Sequence, residues 1–173
     1  MDLLGDILKM LLPAALVLVG IYITVRTLIV KQLERDLINL RSASEQTTLP
    51  LRLQAYERLS MFLERINPTS LIVRVNNPEF NVLELKIQLL NTIGEELNYN
   101  LSQQIYISEE LWAMIKASKD NVLTLIEAAA DNLEPQAPSM LLIENIFGIM
   151  VQSGQDPTAP GLTAIRAEAK QLL

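Results

Sequence analysis

The apolar stretch from Met10 to Val30 is the feature that most constrains this chain, because it contains a single charged side chain, Arg26. At about 1.5 Å per residue, a helix of about 21 residues is long enough to cross the apolar core of a bilayer. A secretory signal peptide is the main alternative, but Asp2 and Asp6 precede the stretch and no small-residue cleavage site follows it. We therefore predict an uncleaved single-pass transmembrane helix, with a buried core helix as the remaining alternative.

The distribution of lysine and arginine predicts how this helix is oriented. Lys9 is the only basic residue on its N-terminal side, whereas Arg26, Lys31, Arg35 and Arg41 lie at its C-terminal side. Basic residues are retained on the cytoplasmic side of a membrane, so we expect the N-terminus outside and the bulk of the chain in the cytoplasm. The side chains expected to anchor the helix at the membrane interfaces are Lys9, Arg26, Lys31 and Arg35.

The residue types that are absent exclude most catalytic chemistry. The 173 residues include no cysteine and no histidine, which excludes imidazole bases, thiolate nucleophiles and the common zinc sites. The two adjacent carboxylate pairs, Glu95-Glu96 and Glu109-Glu110, point about 100° apart on a helix and cannot flank one substrate. No glycine-rich phosphate-binding motif occurs. We expect a protein that is not an enzyme, with no cofactor, no metal site and no small-molecule substrate.

Acidic residues dominate the second half of the chain. Residues 79–173 contain five basic and thirteen acidic side chains, a net charge of −8. Nucleic-acid binding requires basic side chains that displace counterions, so this composition argues against a nucleic-acid partner. The acidic charge is typical of a solvated domain surface, and an acidic docking surface is the alternative.

Apolar residues at heptad spacing, from Val30 to Leu40, predict that the membrane helix continues as a juxtamembrane helix. This stripe can pack on later helices of the same chain or on a second copy. A pair of small residues four apart inside the membrane segment favours association. A further short stripe lies near the C-terminus. The residues of this predicted association surface are Gly20, Thr24, Val30, Leu33, Leu37, Leu40, Leu162, Ile165 and Leu172.

Capping residues and prolines predict several helices after this point. Residues 47–50 interrupt the pattern and open one helix, residues 77–79 begin another, and Ser108 and Ser139 begin two more. Residues 70–75 have the β-branched character of a strand, but no second strand is evident nearby, so we predict a short helix.

Apolar stripes predict which helix faces are buried. The first helix carries the stripe Tyr56, Leu59, Phe62, Leu63 and Ile66. In the helix predicted to start at residue 77, Leu85 and Leu89 lie beside one long stripe. The residues of that stripe are Phe80, Leu83, Ile87, Leu90, Ile93 and Leu97. Residues 98–107 are polar and are predicted to form a loop.

These segments predict an all-α chain with four parts. Residues 1–31 form the transmembrane anchor, and residues 32–48 form a juxtamembrane helix, which can pair as a short coiled coil. Residues 49–153 form a small cytoplasmic helical bundle. Residues 154–173 form a linker and an amphipathic helix that docks on the bundle or on a partner.

Three runs between residues 56 and 79 are distinctive: Tyr56-Glu57-Arg58-Leu59, Ile66-Asn67-Pro68 and Arg74-Val75-Asn76-Asn77-Pro78-Glu79. They resemble a bacterial family of uncharacterised single-pass membrane proteins with a helical cytoplasmic region. The resemblance covers most of the chain and implies this architecture, without an activity, ligand or site residue. With the lysine and arginine distribution, it predicts a location in the bacterial inner (cytoplasmic) membrane.

We expect a non-enzymatic accessory or scaffolding subunit of a membrane protein assembly. Its expected partners are the lipid bilayer, other membrane or cytoplasmic proteins, and a second copy of the chain. The alternative is a membrane-anchored signalling or regulatory module that transmits a state along the helix from the membrane to the cytoplasm.

Overall fold

The computed structural model describes the backbone of residues 2–172 and the side chains of residues 16–32, 35 and 48–172. Every named element in this range is helical, which confirms the predicted all-α class. A 3-10 helix, Leu101–Tyr106, follows the third α-helix. The α-helices are α1 (Asp2–Ile66), α2 (Pro68–Val75), α3 (Val82–Asn100), α4 (Glu109–Ala130), α5 (Ser139–Ser153) and α6 (Ala159–Lys170).

The chain divides into two compact units, residues 1–48 and residues 49–173. The predicted helix interruption at residues 47–50 is wrong, because α1 continues through Pro50 to Ile66. A proline removes one backbone donor from a helix, and the residues after it, from Leu51 onward, have good helix propensity. The helical pattern therefore persists across this proline.

The unit formed by residues 49–173 has one apolar core, to which every one of its α-helices contributes. Helix α4 contacts α3, α5 and α6, and α3 also contacts α2 and α5. The predicted apolar stripe of α1 is confirmed, since all five of its members are buried. The largest fully buried side chains are Leu59, Phe62, Leu63, Ile66, Leu71, Leu85, Leu89, Ile93, Ile115, Ile126, Leu142 and Ile146.

The predicted start of α3 at residues 77–79 is wrong, because the helix begins at Val82. Its N-cap is Asn81, whose side-chain oxygen accepts a hydrogen bond of 2.9 Å from the backbone N–H of Glu84. The Glu84 carboxylate in turn accepts a hydrogen bond of 3.0 Å from the backbone N–H of Asn81. This reciprocal capping box satisfies the backbone N–H groups of Asn81 and Glu84. A helix that began at residue 77 would not form this capping box.

The segment before α3 is held in an extended conformation by the segment before α5. The Val82 N–H donates to the carbonyl of Ala137 at 2.9 Å, and the Ser139 N–H donates to the carbonyl of Phe80 at 3.1 Å. These bonds join residues more than 50 positions apart, so local sequence signals at residues 77–79 do not reveal them. They explain why the helix starts later than its proline predicts.

The buried face of α3 also differs from the prediction. Leu85, Leu89 and Ile93 are buried, whereas Leu83 is 43% exposed and Ile87 is 48% exposed. Apolar residues cover two neighbouring faces of this helix, so periodicity alone does not distinguish them. Packing against the other helices buries Leu85 and Leu89 together with Ile93 of the predicted stripe, and it leaves Phe80, Leu90 and Leu97 of that stripe half-buried against the core.

Residues 70–75 are helical, as predicted, and lie within α2. The side-chain oxygen of Asn67 caps this helix by accepting a hydrogen bond of 3.0 Å from the backbone N–H of Thr69, and Pro68 occupies the first turn. The predicted loop at residues 98–107 is wrong. Helix α3 extends to Asn100, and the 3-10 helix follows it directly.

The predicted starts of α4 and α5 are confirmed. Ser108 caps α4, since its hydroxyl oxygen accepts a hydrogen bond of 3.1 Å from the Leu111 N–H. Helix α5 begins at Ser139 and ends before Gly154, whose φ of 61° lies in the left-handed region that favours glycine. Helix α6 then packs on α4 within the same unit.

Candidate functional site

An exposed apolar band covers α1 between Leu16 and Val30. Eleven large apolar side chains in this range are between 47% and 67% exposed. Successive residues of a helix point about 100° apart, so a run such as residues 16–19 places apolar groups on all sides. A helix that is apolar on every side is typical of one surrounded by lipid or by other protein.

The hydroxyl groups in the band bond to the helix itself. The Thr24 hydroxyl donates to the carbonyl of Gly20 at 2.8 Å, and the Thr27 hydroxyl donates to the carbonyl of Ile23 at 2.7 Å. Both donors are therefore satisfied without water, which lowers the cost of an apolar environment. Around Gly20, apart from its chain neighbours and the adjacent backbone of its own helix, no heavy atom lies within 4 Å of where a Cβ would stand, so a neighbouring helix has room to approach closely.

Several predicted residues of this region lie outside the described side chains. They include Met10–Ala15 at the start of the predicted span, the anchor Lys9, and Leu33, Leu37 and Leu40 of the heptad stripe. The anchors Arg26, Lys31 and Arg35 are exposed, as is Val30. Within the described residues, no helix combines the length and the apolarity needed to cross a membrane.

The C-terminal part of the predicted association surface packs inside the unit of residues 49–173. Ile165 is 3% exposed and belongs to the core, and Leu162 and Leu172 are half-buried against it. These three residues are therefore not a free surface, and of the two alternatives that the sequence leaves open for this helix, the structure shows docking on the bundle. The physical reason is that α6 buries its one apolar stripe on α4.

Glu168 on α6 joins three elements of the unit through its carboxylate. It accepts hydrogen bonds from the backbone N–H of Ser108 at 3.1 Å, from the Ser108 hydroxyl, and from the Tyr56 hydroxyl at 3.0 Å. A guanidinium nitrogen of Arg52 lies 3.5 Å from the same carboxylate. The carboxylate also faces the N-terminus of α4, where the helix dipole favours negative charge.

These contacts change the proton affinities of two groups. Burial, the largest single influence, raises the pKa of Glu168, but the hydrogen bonds from Ser108 and Tyr56 and the charge of Arg52 together outweigh it. The pKa of Glu168 is therefore below its ordinary value. Burial and the Glu168 carboxylate raise the pKa of the Tyr56 phenol above its ordinary value. We call Arg52, Tyr56, Ser108 and Glu168 the Glu168 cluster. Its hydroxyl and carboxylate groups bond to one another, which is typical of a structural hydrogen-bond network.

A groove of about 640 Å³ lies between the last turns of α1 and the C-terminal end of α3. We call it the α1–α3 groove. Its lining combines apolar and charged side chains, several of them exposed, unlike the mostly apolar lining of an enclosed ligand cavity. The residues that line it are Gln54, Glu57, Arg58, Met61, Phe62 and Arg65 from α1, and Glu95, Glu96, Tyr99 and Asn100 from α3.

One methionine and one tyrosine side chain form the exposed apolar part of the groove. Met61 is 53% exposed and Tyr99 is 72% exposed, while Phe62 beneath them is buried. The Arg58 guanidinium carbon lies 5.7 Å from the centre of the Tyr99 ring, within the range of a cation–π contact. Exposed methionine and tyrosine side chains are enriched at protein interfaces.

One end of the groove is closed by an ion-pair cluster around Glu96. An Arg65 guanidinium nitrogen lies 2.6 Å from the Glu96 carboxylate, and an Arg74 nitrogen lies 3.2 Å from it. The hydrogen bond and charge of Glu96 raise the pKa of the Arg65 guanidinium above its ordinary value. By contrast, Glu57 and Glu95 form no ion pair with any residue in the described part of the chain.

The α1–α3 groove was not identified from the sequence, although one signal for it exists. Leu51, Gln54, Arg58, Met61 and Arg65 recur at spacings of three, four, three and four. This mixed stripe runs beside the buried stripe of α1. It lacks strong hydrophobicity, so a search for apolar periodicity passes over it. Among the described side chains, no group of three carboxylates is arranged to hold a metal ion.

Comparison with known proteins gives one match. A family model described as a family of unknown function, DUF7935, matches residues 2–172. This agrees with the resemblance to an uncharacterised family over most of the chain. Neither the curated proteins nor the solved structures include a match.

Proposed function

We propose a function for this chain, which belongs to the DUF7935 family of unknown function, from its own residues. It is a non-enzymatic accessory or scaffolding subunit of a membrane assembly. Its N-terminal segment is held in the bilayer, and residues 49–173 bind other proteins on the cytoplasmic side of a bacterial inner membrane.

The observation that carries this proposal is the exposed apolar band of α1 between Leu16 and Val30. Burial of apolar surface is worth about 25 cal/mol per Å², so a helix that exposes apolar groups on all sides gains strongly from leaving water. The single charge in the band, Arg26, lies near its C-terminal end, from which its long side chain can reach lipid phosphates.

Alkaline extraction of membranes from cells expressing the full chain tests the anchor. We expect the chain to stay in the membrane pellet at alkaline pH and to be released only by detergent. Replacing Leu18 and Ile21 together by arginine should move it to the soluble fraction, because each charge in mid-membrane costs about 2.5 kcal/mol or more. Val73→Arg is the control, since Val73 is an exposed apolar residue outside the band. Recovery of the unaltered chain in the soluble fraction would refute the anchor.

The orientation is tested separately by protease protection. With the bulk of the chain in the cytoplasm, protease added to intact spheroplasts should leave residues 49–173 undigested, and it should digest them after the membrane is permeabilised. Digestion in intact spheroplasts would reverse the orientation and leave the anchor itself untouched.

The protein-binding role draws on the α1–α3 groove, which combines exposed apolar side chains with unpaired charges. Purification of the full chain in mild detergent, followed by mass spectrometry, tests this role. We expect one or more membrane or cytoplasmic proteins in stoichiometric amount. A monomer that purifies without any partner would contradict the role of a subunit.

A further inference from the structure

We propose that the α1–α3 groove binds a helical segment of a partner protein that carries an apolar stripe flanked by lysine or arginine. This inference rests on the proposed protein-binding function and adds the chemistry of the partner. It follows from the shape of the groove, from its exposed apolar groups and from the sign of its unpaired charges.

The length of the groove suits a short helix. A second concavity of about 260 Å³, lined in part by Leu51, Ile105 and Tyr106, adjoins the groove and shares Gln54 and Arg58 with it. Together they follow α1 from Leu51 to Arg65, a distance of about 21 Å along the helix axis. A partner helix of about four turns covers this distance, and the parallel rows of side chains on α1 offer the ridges between which it packs.

The apolar groups along this path need cover from water. Ile105 is 73% exposed, and Leu51, Met61 and Tyr99 are exposed as well. A partner that covers them would carry apolar residues on one face at positions i, i+3, i+4 and i+7, the pattern of a helix that binds in a groove. Methionine adapts its shape to such a face, and tyrosine supplies a large, rigid contact area at low entropic cost.

The charges of the groove favour a basic partner. Glu57 and Glu95 are exposed and form no ion pair within the described residues, whereas Arg65 is paired with Glu96 and Arg58 lies against the ring of Tyr99. The carboxylates are therefore available to a partner, while both arginines already have a counterpart. The whole unit of residues 49–173 has nine basic and fifteen acidic side chains, a net charge of −6, which attracts a basic partner over longer distances.

Fluorescence anisotropy with designed peptides tests the proposal. The full chain is placed in nanodiscs of zwitterionic lipid, and empty nanodiscs give the background. The probe is a fluorescein-labelled 18-residue helical peptide with leucine at heptad positions a and d and lysine at e and g. A second peptide carries glutamate in place of every lysine. We expect the lysine peptide to bind at least about tenfold more tightly than the glutamate peptide, and to bind more weakly as salt increases.

Charge reversal in the groove is the decisive comparison. The double variant Glu57→Lys, Glu95→Lys should lower the affinity for the lysine peptide about tenfold and raise the affinity for the glutamate peptide. The matched control is Glu127→Lys, Glu144→Lys, which alters two exposed glutamates on α4 and α5 outside the groove. This control should leave both affinities within about twofold of the unaltered chain, because exposed charges outside the contact have small effects.

Three results of these experiments would overturn the proposal. Equal binding of both peptides, no binding above empty nanodiscs, or equal losses in the groove and control variants would exclude a basic helix in the groove. If Met61→Arg instead dissociates a homodimer observed by sedimentation, the occupant is a second copy. If neither peptide binds while the chain stays in the membrane and retains its partners, this inference alone is rejected. Failure of the alkaline extraction test with normal peptide binding would reject the anchor alone.

Discussion

Through Glu168, α6 contacts both the start of α4 and the part of α1 that contains Tyr56. Its side chain is 16% exposed, and its carboxylate accepts hydrogen bonds from Ser108 and Tyr56. Ser108 has a double role, because its hydroxyl oxygen also caps α4. The local signal for the cap is therefore reinforced by a residue 60 positions away.

We expect Glu168→Gln to lower the free energy of unfolding by about 1–3 kcal/mol at neutral pH, since hydrogen bonds to a charged acceptor contribute in this range. Urea denaturation followed by circular dichroism measures this difference. The control Glu127→Gln removes an exposed glutamate of α4 and should change stability by less than about 0.5 kcal/mol. Equal stability of the two variants would show that the Glu168 cluster does not stabilise the fold.

The pH dependence of stability, compared between the unaltered chain and Glu168→Gln, gives an independent check. The pKa of Glu168 is lower in the folded chain than in the unfolded chain, so its contribution is present above the unfolded pKa and is lost as the pH falls through the folded pKa. The stability difference between the unaltered chain and Glu168→Gln should therefore shrink on acidification. A difference that stays constant between neutral and strongly acidic pH would contradict the lowered pKa.

Gly161 allows α6 to approach the core closely. A Cβ at this position would stand 2.7 Å from a methyl carbon of Leu63 and 2.8 Å from the hydroxyl oxygen of Ser118. The same hydroxyl accepts a buried hydrogen bond of 2.9 Å from the Gly161 N–H. The neighbours have little freedom to move, because Leu63 and Ser118 are both fully buried.

Gly161→Ala should destabilise the unit by about 1–3 kcal/mol, the cost of overpacking a core, in spite of the higher helix propensity of alanine. Gly148→Ala on α5 is the matched control, since nothing lies within 4 Å of its Cβ position, and we expect it to stabilise by about 0.5–1 kcal/mol. Thermal unfolding monitored by circular dichroism compares the two. Similar effects of both substitutions would disprove the close approach of α6.

At the scale of the elements, α3 is the helix whose orientation the sequence leaves open. Its apolar residues occupy two neighbouring faces, and the face containing Leu85 and Leu89 is the buried one. The capping box at Asn81 and the backbone bonds to residues 137–139 determine where the helix starts. Packing against α2, α4 and α5 then determines which side is buried.

Leu89→Ala should cost about 2–5 kcal/mol, because the lost methyl groups leave a cavity in the core. Ile87→Ala, two residues earlier on the same helix, should cost less than about 1 kcal/mol, since Ile87 is half exposed. Chemical denaturation of both variants distinguishes the two faces. A larger loss of stability for Ile87→Ala would show that the face containing Ile87 is the buried one.

At the scale of the whole molecule, every core residue among the described side chains lies within residues 49–173. The described part of residues 1–48 instead exposes its apolar side chains in the band between Leu16 and Val30. We therefore predict that a fragment of residues 49–173 folds without the N-terminal segment. Circular dichroism should give a helical spectrum and a cooperative thermal transition, and cell fractionation should place the fragment outside the membrane pellet. A fragment without a cooperative transition would mean that the core depends on residues 1–48.

Some features of the candidate site are readable from sequence and others are not. The apolar band is visible because it is one uninterrupted run of residues. The α1–α3 groove is not visible, because its two walls, such as Met61 and Tyr99, are 38 positions apart and neither wall is distinctive by itself. Likewise, the packing of Leu162, Ile165 and Leu172 against the core could be recognised only once the position of α6 was known.

The sequence by itself determined the all-α class, the apolar band and the start of α4 at Ser108, which carries a local capping signal. These features depend on residues within a few positions of each other, where capping and backbone preferences act. Only the tertiary structure decided the buried face of α3, the position of α6 and the existence of the α1–α3 groove. In each case several arrangements bury similar apolar area locally, and long-range contacts between helices select one of them.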